Sequence, residues 1–80
     1  MNIEISREAL KDLRDIDEPM RSRIREAIQR LSHEPPLGDM RAMSSRDGYR
    51  LRVGNYRVLF DILDNKILVH AIGHRSGIYK

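Results

Sequence analysis

Between Tyr49 and Phe60, apolar and basic residues alternate, and Gly54-Asn55 interrupts the run at its centre. Alternation of this kind belongs to a strand that buries one face. A Gly-Asn pair between two such runs closes a two-residue hairpin with glycine at the first turn position. The pairing follows directly: Val53 faces Tyr56, Arg52 faces Arg57, Leu51 faces Val58, Arg50 faces Leu59, and Tyr49 faces Phe60. Side chains alternate across a strand. One face therefore carries Tyr49, Leu51, Val53, Tyr56, Val58 and Phe60, and the other carries Arg50, Arg52 and Arg57.

The second face is costly by itself. Like charges directly opposite one another destabilise a sheet, and Arg52 opposite Arg57 is such a pair. An anion or an acidic partner would offset the repulsion, and arginine suits phosphate oxygens because it donates two parallel hydrogen bonds. The alternative is a solvated outer face, since charged sheet faces are common.

A chain of 80 residues makes one domain, 1–80, and a domain this small buries only about 60% of its unfolded surface. The absence of cysteine excludes a disulfide framework and thiolate chemistry. The start, Met1 to Glu8, is too polar for a signal peptide, and no apolar run is long enough to span a membrane, so a cytoplasmic protein is expected. The net charge of +3 is unevenly placed. Residues 1–40 hold seven Lys/Arg against nine Asp/Glu, and residues 41–80 hold eight against three. The basic half is the half with the hairpin, which points to a polyanion or an acidic protein as partner.

Asn2 to Ile5 reads as a first strand, and Ser6 as the N-cap of a helix whose apolar positions are Ala9, Leu10, Leu13 and Ile16. Asp17-Glu18-Pro19 opens a second helix, with Asp17 as cap. Its stripe is Met20, Ile24, Ala27, Ile28 and Leu31, and it stops before Pro35-Pro36. Leu37 to Asp47 reads as a loop. After the hairpin, Asp64-Asn65 marks another tight turn, and Lys66 to Ile72 a further antiparallel strand. In an unbroken register Ile67, Val69 and Ala71 join the apolar face, while His70 and Ile72 join the arginines. The fold class is α+β, in the order β-α-α-β-β-β, with two helices on one face of a small, mainly antiparallel sheet. The only apolar surface large enough to cover the helical stripes is that sheet face.

Several chemistries are excluded by pattern. There is neither a Gly-rich phosphate loop nor a helical His-Glu-x-x-His. His70 and His74 are about 13 Å apart on an extended strand of roughly 3.3 Å per residue, too far to share a metal ion. No cofactor and no metal is expected. Asp61, within a strand, is expected to pair with an arginine.

Tyr49 to Phe60, followed by Ile72-Gly-His-Arg-Ser-Gly-Ile-Tyr-Lys80, resembles the closing half of the RelE/ParE superfamily of bacterial toxins, and the first half fits as well. The resemblance implies a type II toxin with a separate, acidic antitoxin as partner. RelE-like members arrest growth by cutting messenger RNA in the ribosomal A site, through attack of a 2′-hydroxyl on its own phosphate. Carried over by position, it implies Arg57 as the phosphate and transition-state binder, Arg50 as the basic residue one strand earlier, Arg75 as the C-terminal arginine and Tyr79 as the tyrosine near the end. Gly48 stands where RelE has a second lysine, and the tail between Arg75 and Tyr79 is shorter than in RelE. Histidine is the side-chain type whose unperturbed pKa best suits acid or base work, which makes His74 the candidate for proton transfer. Arg46, Arg52 and Lys80 are candidate RNA contacts. The alternative within the superfamily is a ParE-like inhibitor of DNA gyrase without nuclease activity.

Overall fold

The computed structural model describes residues 2–33, 40–42 and 48–78. Its elements are β1 (Asn2–Ile5), α1 (Arg7–Arg14), α2 (Met20–Arg30), β2 (Met40–Ala42), β3 (Tyr49–Val53), β4 (Tyr56–Leu63) and β5 (Lys66–His74). The sheet order is β1-β5-β4-β3-β2, with β1 parallel to β5 and the other neighbours antiparallel. The α+β class and the two-helix layer expected from the sequence are present. One strand was not anticipated: Met40–Ala42 pairs with Leu51 to Tyr49 inside the stretch expected to be a loop.

The β3–β4 register is the expected one at all five pairs, from Val53↔Tyr56 to Tyr49↔Phe60. Gly54 takes φ +59 at the first turn position, where a side chain is strained. The β4–β5 turn places both Asp64 (φ 47) and Asn65 (φ 63) in the left-handed region. That is the mirror-image turn whose twist matches a hairpin, and Asp and Asn tolerate it best after glycine.

Both helices pack on one sheet face. Ala9, Leu13 and Ile16 from the first helical segment and Ile24, Ala27, Ile28 and Leu31 from the second meet Leu51, Val58, Phe60, Ile67 and Val69 in one core. Leu10 departs from its expected place and is 44% exposed. Ser6 caps α1 as expected, accepting from the Ala9 amide at 3.1 Å. The cap of α2 is a correction: Pro19, not Asp17, stands at the N-cap and makes no side-chain cap bond, while Glu18 just before it reaches forward with Oε1 to accept the Ser22 amide at 3.0 Å and with Oε2 takes Arg21 Nη2 at 3.2 Å. These bonds to its ionised form hold the Glu18 carboxyl below the ordinary glutamate range, the Ser22 bonds being the larger cause.

A second correction lies in β5. Phe60 pairs with Val69 but Leu59 pairs with Ala71, so His70 is an extra residue in a β-bulge. Beyond it the faces exchange. Ile72 is 3% exposed in the core, and Ala71 lies with the arginines, the reverse of the unbroken register.

Candidate functional site

By the β3–β4 register, Arg50, Arg52 and Arg57 share the sheet face away from both helices, with Arg52 directly opposite Arg57. Arg52 is exposed, and Arg50 and Arg57 are half-buried. Leu59 shares this face, between Arg50 on one side and Ala71 on the other, yet is only 7% exposed. A long arginine stem covers apolar surface while its head stays in water, which suits Arg50 to shielding it. Asp61 pairs with His70, Oδ2 to Nε2 at 3.7 Å, rather than with the arginine expected.

The Gly54-Asn55 turn gathers the Arg57 guanidinium and the Arg75 backbone. Arg57 Nη1 donates to the Gly54 carbonyl at 3.0 Å and to the Tyr56 carbonyl at 2.8 Å. The guanidinium is thus held against the turn rather than waving from the strand. The Arg75 amide donates to the Asn55 carbonyl at 2.8 Å, which docks the start of the C-terminal tail on the same turn. Gly73 lies opposite Arg57. A side chain at Gly73 would stand 3.4 Å from Ile78, because the tail turns back through the Gly77 and Ile78 amides, which donate to the His74 carbonyl at 3.0 and 3.1 Å. Ile78 therefore lies over Gly73, beside Arg57.

His74 is placed differently. It pairs with Tyr56 on the side of Val58 and Ile72, so the sheet separates it from Arg57. Its ring meets Tyr56 edge-on at 5.5 Å. Nδ1 accepts the Ser76 amide at 3.1 Å and contacts Ser76 Oγ at 2.8 Å, so a neutral ring in this arrangement carries its proton on Nε2. The register thus brings Arg50, Arg52 and Arg57 together, docks the Arg75 backbone at their edge, and leaves His74 on the other side. Arg46, Tyr79 and Lys80 lie outside the described residues.

Sequence reasoning missed two groups that shape the site, Asp12 and Ile78. Asp12 Oδ2 accepts the Ile72 amide at 3.2 Å. Nothing local in the sequence marks a bond between residues sixty apart.

The Arg57 guanidinium thus sits at a turn on the sheet face that neither helix covers. Comparison with known proteins gives the class. The model of the family described as the ParE toxin of type II toxin-antitoxin systems matches residues 3–79. RelE1 of Methanocaldococcus jannaschii, named for this toxin class, is 33% identical over 85 residues, covering 99% of this chain and 94% of that protein. The RelB-RelE antitoxin-toxin complex of Methanococcus jannaschii superposes with a TM-score of 0.78 at 26% identity, over 94% of this chain and 93% of the other. The RelE-RelB complex of Pyrococcus horikoshii OT3 gives 0.80 at 24% identity, over 95% and 96%.

The fold is that of a type II toxin. The chain belongs to the RelE/ParE superfamily, and its sequence matches that superfamily's ParE toxin model. RelE1 and both complexes come from archaea, so the similarity does not support the bacterial source expected from the resemblance. No helix among the described residues is long and apolar enough to cross a membrane.

Proposed function

We propose that this toxin is a messenger RNA endonuclease acting at the ribosomal A site in the cytoplasm, with the scissile phosphate bound at the Gly54-Asn55 turn. The observation that carries the reading is that Arg57 and the Arg75 backbone meet at one turn, on the face that neither helix covers. In the reaction the 2′-oxygen attacks phosphorus, the bond to the 5′-oxygen breaks, and a 2′,3′-cyclic phosphate and a 5′-hydroxyl result. Negative charge grows on the non-bridging oxygens. A cation already held in place stabilises that charge without reorganising, at about 3 kcal/mol for one good donor. Arg57 fills this role, Arg75 and Arg50 flank it, and Arg52, Arg46 and Lys80 hold the neighbouring RNA backbone. Proton transfer falls to His74 and Tyr79. Since His74 starts from the far side of the sheet, its ring must come round the end of β5 to take part.

The partner in this reading is an acidic antitoxin; the similar complexes named above pair RelE with RelB. A groove of about 310 Å³ beside β1 supports it. Its apolar wall includes Ile3, Ile5 and the exposed Leu10, and its rim carries Arg14, Arg21 and Arg25. That pairing of apolar floor and cationic rim complements an acidic amphipathic helix.

Induction in growing cells followed by mapping of RNA ends tests the nuclease. New ends within codons are expected, and Arg57→Ala should reduce cleavage by roughly a hundredfold or more. Full cleavage by Arg57→Ala would remove the site. The match to the ParE model favours a second reading, inhibition of DNA gyrase. Intact RNA in arrested cells, with loss of supercoiling at stoichiometric toxin, would select it.

A further inference from the structure

The single extra residue in β5 decides what faces Arg57. Continued without a bulge from Phe60↔Val69, the ladder would pair Leu59 with His70, Val58 with Ala71 and Arg57 with Ile72. A branched apolar side chain would then stand across from the guanidinium, and Gly73 would fall opposite Tyr56. With His70 inserted, Ile72 enters the core opposite Val58, Gly73 comes opposite Arg57, and the Arg75 amide reaches the Asn55 carbonyl at 2.8 Å. A one-residue slip exchanges the faces of every side chain beyond it, so the bulge is a condition for the phosphate site.

Helix α1 and its cap grip the bulge from both sides. The Ser6 amide donates to the Val69 carbonyl at 2.8 Å, and Ser6 Oγ donates to the His70 carbonyl at 3.4 Å. On the other side Asp12 Oδ2 accepts the Ile72 amide at 3.2 Å. Strand β1 stops at Ile5, opposite Val69, and does not reach Ile72. The Asp12 carboxylate stands where a strand partner would otherwise be, and a charged acceptor makes the stronger kind of hydrogen bond.

We propose that Asp12 is a positioning residue for the phosphate site. By taking the Ile72 amide it holds the His70 bulge, and the bulge holds Gly73 opposite Arg57 and the Arg75 backbone beside the turn. The use of RNA as ligand rests on the nuclease reading, but the geometry does not.

The full-length chain, isotope-labelled, tests this with two readouts. The first is cross-strand nuclear Overhauser contacts, which are Arg57 with Gly73 in the bulged register and Arg57 with Ile72 in the slipped one. The second is affinity for a 2′-O-methyl RNA oligonucleotide, which cannot be cleaved. Asp12→Ala should lose the Arg57–Gly73 contact and weaken RNA binding at least tenfold, with the circular dichroism of the fold retained. Asp12→Asn keeps an acceptor oxygen and should stay within about threefold of wild type. Deleting His70 joins Val69 to Ala71 and yields the same pairs without a bulge, so in that background Asp12→Ala should cost less than twofold. This double variant also answers the case in which Asp12→Ala alone does not fold. Asp12→Ala with wild-type contacts and affinity would overturn the proposal, and so would equal damage from Asp12→Ala in the chain lacking His70. If the wild type binds no free RNA, the nuclease reading is decided by the mapping of RNA ends in cells, and the Overhauser contacts alone decide the role of Asp12.

Discussion

Leu59 and Phe60 are neighbours in β4 and both are nearly dry, at 7% and 0% exposure, but they lie on faces that obey different rules. Phe60 faces the helices. It stacks on Tyr49 at 5.6 Å between ring centres and belongs to the core built by Ile24, Ile28 and Leu31. Leu59 faces the arginines and lies outside that core. Burial decides every large residue on the first face, and no charged side chain is buried there or elsewhere among the described residues. The second face keeps Arg52 directly opposite Arg57, a like-charge juxtaposition that costs stability unless other groups offset it. A small domain has only about 5–15 kcal/mol of stability. Part of that cost is offset within the chain, where the Arg57 guanidinium donates to the Gly54 and Tyr56 carbonyls.

The sharpest way to break this contrast is to attack the helix-side face. Phe60→Ala should cost about 3–5 kcal/mol, the range for emptying a fully buried aromatic position. In 80 residues that is enough to leave much of the chain unfolded at 37 °C. A urea melt followed by circular dichroism measures it. A loss below about 1 kcal/mol would mean that this face is not the core.

The opposite face predicts a gain instead of a loss. An anion that binds only the folded chain stabilises it by mass action, by about 2.7 kcal/mol at one hundred times its Kd. For a domain of this size that is a rise in Tm of roughly 10–20 °C. A 2′-O-methyl RNA should produce the rise in wild type and none in Arg57→Ala, by differential scanning fluorimetry. An equal rise in both would move the anion site away from the turn.

How far each face was legible in the sequence follows from the range of the forces that set it. The β3–β4 pairing was readable because alternation and Gly54-Asn55 specify one register locally, and glycine at φ +59 meets what the turn demands. The arginine face came with it. The exchange of faces in β5 was not readable, since its cause is the Asp12 carboxylate and the Ser6 cap, sixty or more residues upstream. Period-two reasoning carried Ile72 to the wrong face for that reason. Strand β2 escaped because three residues are too few for a pattern. Leu10 follows the helical stripe but ends at the groove beside β1, where periodicity does not say whether the covering partner belongs to the same chain.

The smallest expected effect lies at the start of α2, where neither face of the sheet is involved. The sequence places the cap at Asp17, but it is the Glu18 carboxylate that takes the Ser22 amide. Its pKa is depressed in the folded chain, chiefly by the Ser22 hydrogen bonds and then by Arg21. A carboxyl with a depressed folded pKa stabilises fully above its unfolded value, about 4.3 for glutamate. The contribution is lost as pH falls through the lower folded value. Wild type should therefore lose more Tm than Glu18→Gln between pH 5 and pH 3, and the two should differ by a constant amount above pH 6. Salt should shrink that gap, since the carboxylate is exposed and Arg21 is close by at the surface. A Tm difference between wild type and Glu18→Gln that does not narrow in acid would place the pH-sensitive contact elsewhere in the helix layer.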